Sequence, residues 1–452
     1  MPHGFSTPPS VFDVIPQQWA AVVDAFEKLV PGDRYSHWVD IECSKPAPAG
    51  ISREAWWVAL KLARSGGRRT TALKDGRGIP FEFNVAADVA EILHDIDRNA
   101  EGLLVDRQLA DRFSASALLA ETIASAQLAG ATTPRGAARE MLRAGRPPED
   151  RNESTIWDLH GALQEVRRLR EQPLSVDMIL VLHRSISVGT AHPPESAGRP
   201  RGEGNKGTIV DAQGQVVHQP PPAEELNGRL ESMCQFANAR TAAPFIHPVV
   251  RAIILHFWVA HDRPFADGNG RLARALSLWA LLHAGYAVFD YLCPSALLLL
   301  APKRYDLAFR QTETDDNDLT YFILHELEVV RAAIQTLRDR MTRKTGEMKQ
   351  ASGRVPDFED LNPRQQALIA HALRQPGARY GIARHQHSHG VTHQTARDDL
   401  FNLVHRGLLE ARRERRVYVF QATSELGRPA LPRRRVSVEE HSFNDQLPTA
   451  LL

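Results

Sequence analysis

A short glycine-containing run between two apolar helical segments constrains the fold more than any other part of this chain. Its residues are Arg263-Pro264-Phe265-Ala266-Asp267-Gly268-Asn269-Gly270-Arg271-Leu272-Ala273-Arg274. Apolar residues at three-four spacing predict a helix from Val249 to Ala260 before the loop and another from Leu272 to Leu282 after it. The glycines on either side of Asn269 permit a tight turn whose N–H groups point in one direction. The sequence therefore predicts a helix–loop–helix with a sharply turned loop.

The charged residues of this loop indicate an anion-binding site. Arg271 and Arg274 are three residues apart and lie on one face of the first turn of the second helix. Positive side chains oppose the helix dipole at that end, so their placement is explained if an anion lies between them. Asp267 could hold a divalent cation against the same anion. This favours a di- or triphosphate site, and a Gly-Asn-Gly turn with solvated arginines is the alternative.

Composition excludes several classes of protein. Lys and Arg total 55 and Asp and Glu total 54, so the formal charge of +1 excludes a chain that is basic throughout. Three cysteines cannot form a disulfide framework, which favours a reducing cytoplasmic environment. No apolar run reaches about 18 residues, and the start of the chain has no signal-peptide pattern, so we expect no membrane association.

The distribution of apolar residues predicts a mainly α fold in several parts. We expect an N-terminal α/β segment over 1–104 with a hairpin at 67–84, and a helical core over 105–342. A linker over 343–362, a compact unit over 363–422 and a disordered tail over 423–452 follow. Core helices are predicted at 112–130, 152–171, 175–188, 223–239, 247–262, 270–285 and 317–341. The Gly- and Pro-rich stretch 190–222 interrupts them and contains a hairpin around Gly214.

Positions 264–274 resemble, without a gap, the motif His-Pro-Phe-x-Asp/Glu-Gly-Asn-Gly-Arg-x-x-Arg of the Fic (Fido) family of nucleotidyl transferases. Further likenesses lie at 197–201, at 217–226, which resembles the end of the family's target-binding flap, and at His247-Pro248. The stretch 314–322 is similar to a late helix start in a subgroup with a C-terminal winged helix. The resemblance implies a Fic helical core with a flap hairpin. It also implies AMPylation, in which AMP passes from ATP to a Ser, Thr or Tyr hydroxyl of a target protein.

The resemblance also implies roles for individual residues. Asp267 would help to hold Mg²⁺, the loop Gly268-Asn269-Gly270-Arg271 would contact the phosphates of ATP, and Arg274 would reach the terminal phosphate. His218 corresponds to a histidine of the flap, although a lone histidine is more often structural. His183 and His256 lie within apolar helices, where a hydrogen-bonded core histidine is more common than a ligand.

The first departure from the family pattern is Arg263, which occupies the position of the catalytic histidine. That histidine takes the proton from the target hydroxyl, whereas arginine stays protonated and cannot act as a base. Losing a positioned base typically costs about 10²–10⁴-fold in rate. His261 is two residues upstream, a rotation of about 200° on a helix, so it reaches the site only if the helix has ended there. A solvated or capping histidine at the helix end is the favoured interpretation.

The second departure lies in the segment Ser125-Ala126-Gln127-Leu128-Ala129-Gly130. Many members of the family carry an inhibitory helix here, whose glutamate pairs with the arginine at position 274. The segment still resembles that helix and keeps Ser125, but Ala129 replaces the glutamate. The favoured interpretation explains both departures by one cause. A chain that lacks the catalytic histidine has no transfer activity that an inhibitory glutamate would need to restrain. Constitutive activity, or a different phosphate ligand recruited by Arg263, are the alternatives.

Residues 363–422 predict a winged helix-turn-helix. Thr392 is a plausible N-cap of its third helix, and a turn rich in arginine separates two final strands. Residues 363–421 contain ten arginines and four acidic residues, a formal charge of +6. Contact with DNA is therefore expected from Thr395, Arg397, Arg412, Arg413, Arg415 and Arg416. Protein contact or formation of a homodimer is the alternative, which Asp398 and Asp399 in the third helix support.

Three functions remain open at this level. The chain is an AMP-transferase with weakened or rerouted activity, a catalytically silent protein that binds a nucleotide, or a DNA-binding regulator whose Fic core acts as the sensor. The target protein and the base of the nucleotide are not encoded in a recognisable pattern.

Overall fold

The computed structural model describes residues 7–29, 35–43, 47–101, 107–210, 214–240, 245–353, 361–375, 377–414, 417–423 and 426. The chain forms two compact units, residues 1–338 and 339–452. Helices dominate the described residues, so the predicted mainly α fold is confirmed.

The first fourteen helices and two hairpins lie in or begin in the first unit. The helices are α1 (Val11–Glu27), α2 (Trp38–Cys43), α3 (Arg53–Ser65), α4 (Ala87–Glu101), α5 (Arg107–Leu128), α6 (Arg135–Ala144), α7 (Arg151–Arg168), α8 (Val176–Ser187), α9 (Leu226–Ala237), α10 (Pro248–Asp262), α11 (Asn269–His283), α12 (Pro294–Leu300), α13 (Pro302–Thr314) and α14 (Thr320–Gly353). The antiparallel hairpins pair β1 (Arg68–Lys74) with β2 (Pro80–Asn84) and β3 (Ile209–Val210) with β4 (Val216–His218). Both hairpins fall where the sequence predicts them. No helix among the described residues is both long and apolar enough to cross a bilayer.

The helix pair α10 and α11 forms the centre of the first unit. Pro248 begins α10, where its missing N–H costs nothing, and His247 Nδ1 accepts a hydrogen bond from Val249 N at 3.3 Å. Most residues of α10 are apolar and buried, as expected for a helix that is enclosed on all sides. Trp258, Phe265 and Trp279 are each at most 1% exposed, so the loop between the two helices is anchored in the core at Phe265.

The N-terminal residues belong to the same unit as the core, so the boundary predicted at residue 104 does not separate two units. Glu82 of β2 accepts a hydrogen bond from Leu319 N at 2.8 Å and donates to Asn317 O at 3.1 Å. Lys61 and Arg64 of α3 bind the buried carboxylate of Asp315. These contacts join residues far apart in sequence, which a local pattern does not reveal.

The predicted linker also begins too early, because α14 continues to Gly353. Low apolar content suggested an irregular segment over 343–362. However, Lys, Glu, Gln, Met and Ala are good helix formers even without an apolar face. Residues 354–360 of the predicted linker lie outside the described residues.

The second unit contains three further helices and a small sheet. They are α15 (Pro363–Arg374), β5 (Arg379–Tyr380), α16 (Ile382–His389), α17 (His393–His405), β6 (Leu409–Glu414) and β7 (Val417–Ala422). The strands form an antiparallel sheet in the order β5-β7-β6. Thr392 caps α17 by accepting a hydrogen bond from Thr395 N at 3.2 Å. The three helices and the final strand pair follow one another in the predicted order. Of the predicted tail over 423–452, only Thr423 and Leu426 lie within the described residues.

Candidate functional site

The loop between α10 and α11 presents backbone N–H groups at a helix start. Gly268 precedes α11 with φ +78°, a conformation that favours glycine. Its N–H donates to Asp267 Oδ1 at 2.7 Å. The first helical hydrogen bond runs from Leu272 N to Gly268 O, so the N–H groups of Asn269, Gly270 and Arg271 lie outside the helical ladder. Such groups bind anions.

Asn269 and His183 hold the shape of the loop. The buried amide of Asn269 bridges the backbone of Phe265, with Oδ1 accepting from N at 3.0 Å and Nδ2 donating to O at 2.7 Å. His183 Nδ1 accepts from Gly198 N at 3.0 Å, so its proton lies on Nε2, which donates to Asp267 O at 2.9 Å. Burial lowers the pKa of His183 to about 4, so the ring is neutral at pH 7. The hydrogen-bonding groups of both side chains are therefore used to hold the backbone of the loop in place.

The two loop arginines have different partners. Arg271 is 3% exposed and donates from Nη1 to Ile186 O of α8 at 2.9 Å, while its Nη2 lies 3.5 Å from Asp267 Oδ2. Burial lowers the pKa of its guanidinium, and its buried Nε has no hydrogen-bond partner. Arg274 instead contacts α5, with Nε and Nη2 donating to Oγ and O of Ser125 at 2.7 and 2.8 Å.

The contact with Ser125 brings the segment that resembles an inhibitory helix to the loop. Leu128 and Ala129 line the same cavity as Arg274. The methyl group of Ala129 is uncharged, so it cannot form an ion pair with the guanidinium of Arg274. The position at which the family resemblance implies a glutamate thus carries a small apolar side chain in the lining of the cavity that Arg274 also lines.

A cavity of about 420 Å³ lies in front of the loop. The loop, the end of α10, the flap hairpin and α13 all contribute to its wall, and its lining includes Arg263, Asp267, Gly268, Asn269, Gly270, Arg271, Arg274, His218, His261, Tyr305, Asp306, Phe309, Arg310 and Glu313. The sequence does not predict the contribution of α13, although Pro302 at its first turn and the spacing of Tyr305, Phe309 and Thr312 are signals of an amphipathic helix.

Arg263 lies at the end of α10 with its side chain at the cavity. Its backbone is left-handed, with φ +44°, which turns the chain out of the helix. Arg201 Nε donates to Arg263 O at 2.8 Å, which fixes this turn. Burial lowers the pKa of the Arg263 guanidinium, while the charge of Asp267 opposes that change. The buried Nε of Arg263 has no hydrogen-bond partner.

Asp267 has the properties of a ligand for Mg²⁺. Its side chain is 68% exposed, and only one of its oxygens is bound closely, by the N–H of Gly268. Mg²⁺ is usually held by one or two carboxylates together with phosphates and water. One exposed carboxylate beside an anion-binding loop therefore fits the ion that the family resemblance implies.

His261 is neither solvated nor a cap, so that interpretation of the sequence is wrong. The residue is 4% exposed and lines the cavity although α10 continues to Asp262. The argument from helix rotation fails because the backbone of Arg263 leaves the helix, and the side chains at 261 and 263 no longer follow helical spacing. His218, on β4, donates from Nε2 to His261 O at 2.7 Å and lies 2.8 Å from Glu313 through Nδ1. Burial opposes its charge, but the hydrogen bond and charge of Glu313 raise the pKa of His218.

In the second unit, the residues predicted to contact DNA are only partly described. Arg397, Arg412 and Arg413 are exposed and Thr395 is half-buried at the start of α17, while Arg415 and Arg416 lie outside the described residues. Asp399 is 5% exposed and binds Arg364 Nε at 2.7 Å, Asn362 Nδ2 at 2.7 Å and His385 Nε2 at 3.2 Å. It therefore belongs to the interior, while Asp398 is exposed and accepts from Gln394.

Comparison with known proteins agrees with the fold and the loop. Residues 173–281 match the model of the Fic/DOC family. Two relatives named protein adenylyltransferase Fic are similar to this chain, one from Nematostella vectensis at 31% identity over 117 residues and one from Drosophila ananassae at 28% over 142 residues. The alignments cover 26% and 31% of this chain and 25% and 26% of those relatives. The chain thus matches about a quarter of their length.

The fold is also shared with a solved structure. A Fic family protein from Desulfovibrio desulfuricans G20 aligns with a TM-score of 0.55 at 17% identity, covering 75% of this chain and 97% of that one. The match to the Fic/DOC model over residues 173–281 confirms the resemblance in the segment that carries the loop, and the solved structure shares the fold.

Proposed function

We propose that the cavity binds ATP with Mg²⁺, and that AMP transfer from it to a protein hydroxyl is weak. The observation that carries this proposal is the arrangement at the cavity wall. Helix-start N–H groups outside the helical ladder, Arg263 and Arg274 line the same cavity as Asp267, whose carboxylate is exposed. Cations and N–H groups would hold the phosphates, and Mg²⁺ at Asp267 would offset their charge.

Weak transfer follows from the side chain at position 263. A target hydroxyl must lose its proton as it attacks the α-phosphate and displaces pyrophosphate, and arginine cannot accept that proton. The adenylyltransferase names of two relatives support the nucleotide and the type of reaction. Arg263 instead adds a positive charge that favours ground-state binding of the phosphates.

Binding can be measured without assuming transfer. Titration calorimetry with ATP and Mg²⁺ should give a saturable signal for the wild-type protein. Arg274→Ala should weaken binding about 10–100-fold, because hydrogen bonds to a charged group contribute roughly 1.5–3 kcal/mol. Arg139→Ala, at an exposed arginine of α6, is the matched control and should leave the affinity unchanged. Absence of binding by the wild type would refute the proposal.

A second function is supported by the second unit. Asp399 is internal and paired with Arg364, so the acidic residues of α17 detract less from a basic surface than the sequence suggests. We propose that this unit binds DNA through Thr395, Arg397 and the arginines of the β6–β7 turn. Retention of the full chain on duplex DNA should fall steeply with salt. Replacing Arg412, Arg413, Arg415 and Arg416 by Ala should abolish it, and retention by that variant would exclude this role.

A further inference from the structure

Three side chains that the family motif does not include come together beside the loop. His218 on β4, His261 in the last turn of α10 and Glu313 in the last turn of α13 each offer one ligand atom, and these atoms lie within 4.8 Å of one another. Their side chains are 9%, 4% and 24% exposed. All three line the nucleotide cavity. They come from three separate elements, so the fold itself assembles the cluster.

The other nitrogen of each histidine is already held in the way that metal-binding histidines are usually held. His218 Nε2 donates to the backbone carbonyl of His261 at 2.7 Å, which leaves Nδ1 for the cluster. His261 Nδ1 lies 3.0 Å from Asp262 Oδ1, which leaves Nε2. Histidine ligands commonly donate their second N–H to a carbonyl or a carboxylate, and this partner fixes the orientation of the ring.

Asp262 is itself rigidly positioned. It is 1% exposed and accepts hydrogen bonds from Arg229 Nε and Nη2, both at 2.8 Å, and from Trp258 Nε1 at 2.9 Å. Burial favours its neutral form, but the hydrogen bonds from His261 and Arg229 lower its pKa. An ionised carboxylate therefore stands behind the His261 ring, as in a carboxylate–histidine–metal arrangement.

The spacing of the ligand atoms also suits a metal ion. His218 Nδ1 lies 2.8 Å from Glu313 Oε1, so without a metal the two atoms share a proton. Nitrogen and oxygen ligands at 2.0–2.2 Å from one tetrahedral Zn²⁺ lie roughly 3.4 Å apart. Exchange of the proton for a metal thus requires side-chain shifts of about 1 Å or less.

We propose that His218, His261 and Glu313 bind a first-row divalent transition metal, with Zn²⁺ as the representative ion. Two imidazoles and one carboxylate favour such metals over Mg²⁺, which prefers oxygen ligands, so the site is distinct from Asp267. Three protein ligands leave one coordination position open, and all three ligands line the cavity. The site does not depend on nucleotide binding, because all of its ligands belong to this chain.

Metal binding is tested with Zn²⁺ alone on the full chain. Metal-free protein, titrated against a chromophoric chelator, should bind one equivalent of Zn²⁺, and Co²⁺ should give the visible bands of a low-coordinate site. His218→Ala, His261→Ala and Glu313→Gln should each weaken Zn²⁺ binding at least about tenfold. His94→Ala, at an exposed histidine, should not change it. The double variant His387→Ala/His389→Ala, at exposed histidines of α16, controls for binding in the second unit and should also bind normally.

Some outcomes would overturn the site. One is that the wild type does not bind Zn²⁺. A second is that all three ligand variants bind Zn²⁺ as tightly as the wild type. A third is that the α16 double variant loses Zn²⁺ binding. Thermal melting separates loss of ligand from loss of fold, since Zn²⁺ should raise the midpoint of the wild type and not that of Glu313→Gln. If Zn²⁺ raises the melting midpoints of the wild type and of Glu313→Gln by the same amount, the proposed site is also wrong. Because no nucleotide is present, failure here leaves the ATP proposal unaffected.

Discussion

Ala129 and Arg263 are single side chains in the lining of one cavity, and each differs from the family pattern in charge. Ala129 lacks a carboxylate beside Arg274, and Arg263 adds a guanidinium where a base is expected. Both changes make the cavity more positive. They therefore favour an anionic ligand, while the second removes the group that would activate an acceptor hydroxyl.

At residue scale, Ala129→Glu should weaken ATP binding by at least about tenfold. The new carboxylate lies in the wall next to Arg274 and competes with phosphate for its guanidinium. Calorimetry of Ala129→Glu beside Ala129→Gln separates charge from size. Equal losses in the two variants, or none in the glutamate variant, would show that position 129 does not control Arg274.

The element scale explains which parts of the site could be predicted from sequence. The loop was recognisable because its glycines, Asn269 and Arg271 act on neighbours in the chain. Glu313 was missed because it reaches the cavity from α13 through long-range packing. Helical spacing misplaces His261 relative to position 263, because the backbone of Arg263 is not helical.

A buried group of ion pairs connects α3 to the residues just before α14. Arg64 and Lys61 are 0% and 5% exposed and share Asp315, which is 1% exposed. Tyr321 Oη also donates to Asp315 Oδ2, at 2.8 Å. Buried cations without a partner are costly, so this carboxylate holds the N-terminal helices to the core.

Asp315→Asn should lower the free energy of unfolding of the first unit by about 3–5 kcal/mol, since it removes the buried counter-charge of Arg64 and leaves Lys61 with only the exposed carboxylate of Asp316. Urea unfolding measures the change. Asp24→Asn removes an ion pair with Lys28 whose side chains are 53% and 45% exposed. This control should cost at most about 0.5 kcal/mol. A loss below about 1 kcal/mol in Asp315→Asn would contradict the role assigned to the network.

At the scale of the whole molecule, near-zero net charge is an average over unlike parts. Cationic groups collect at the cavity of the first unit and on the exposed surface of α17 and β6 in the second. Overall composition could exclude a uniformly basic protein but could not locate either surface. Motifs and spacing located them, and the three-dimensional arrangement separated Asp399, which is internal, from Asp398, which is exposed.

Stability of the first unit should depend on pH through His37. This residue is 0% exposed, and burial lowers its pKa from 6.5 to about 4. Between those values the unfolded chain binds a proton that the folded chain does not, so the free energy of unfolding falls as pH decreases. From pH 7 to pH 5 this histidine contributes a loss of about 2 kcal/mol. Urea unfolding of His37→Gln should show a correspondingly smaller fall, and an unchanged fall would refute the assignment.

The central claim is that this chain keeps a nucleotide site and lacks the base for transfer. Labelled ATP with Mg²⁺ should transfer little label to the protein or to lysate targets in the presence of wild type. Arg263→His should raise transfer by roughly 10²–10⁴-fold, the usual contribution of a positioned base. Arg263→Ala, which removes the charge without supplying a base, should remain inactive. Strong labelling by wild type that survives His261→Ala, or no gain in Arg263→His, would contradict the claim.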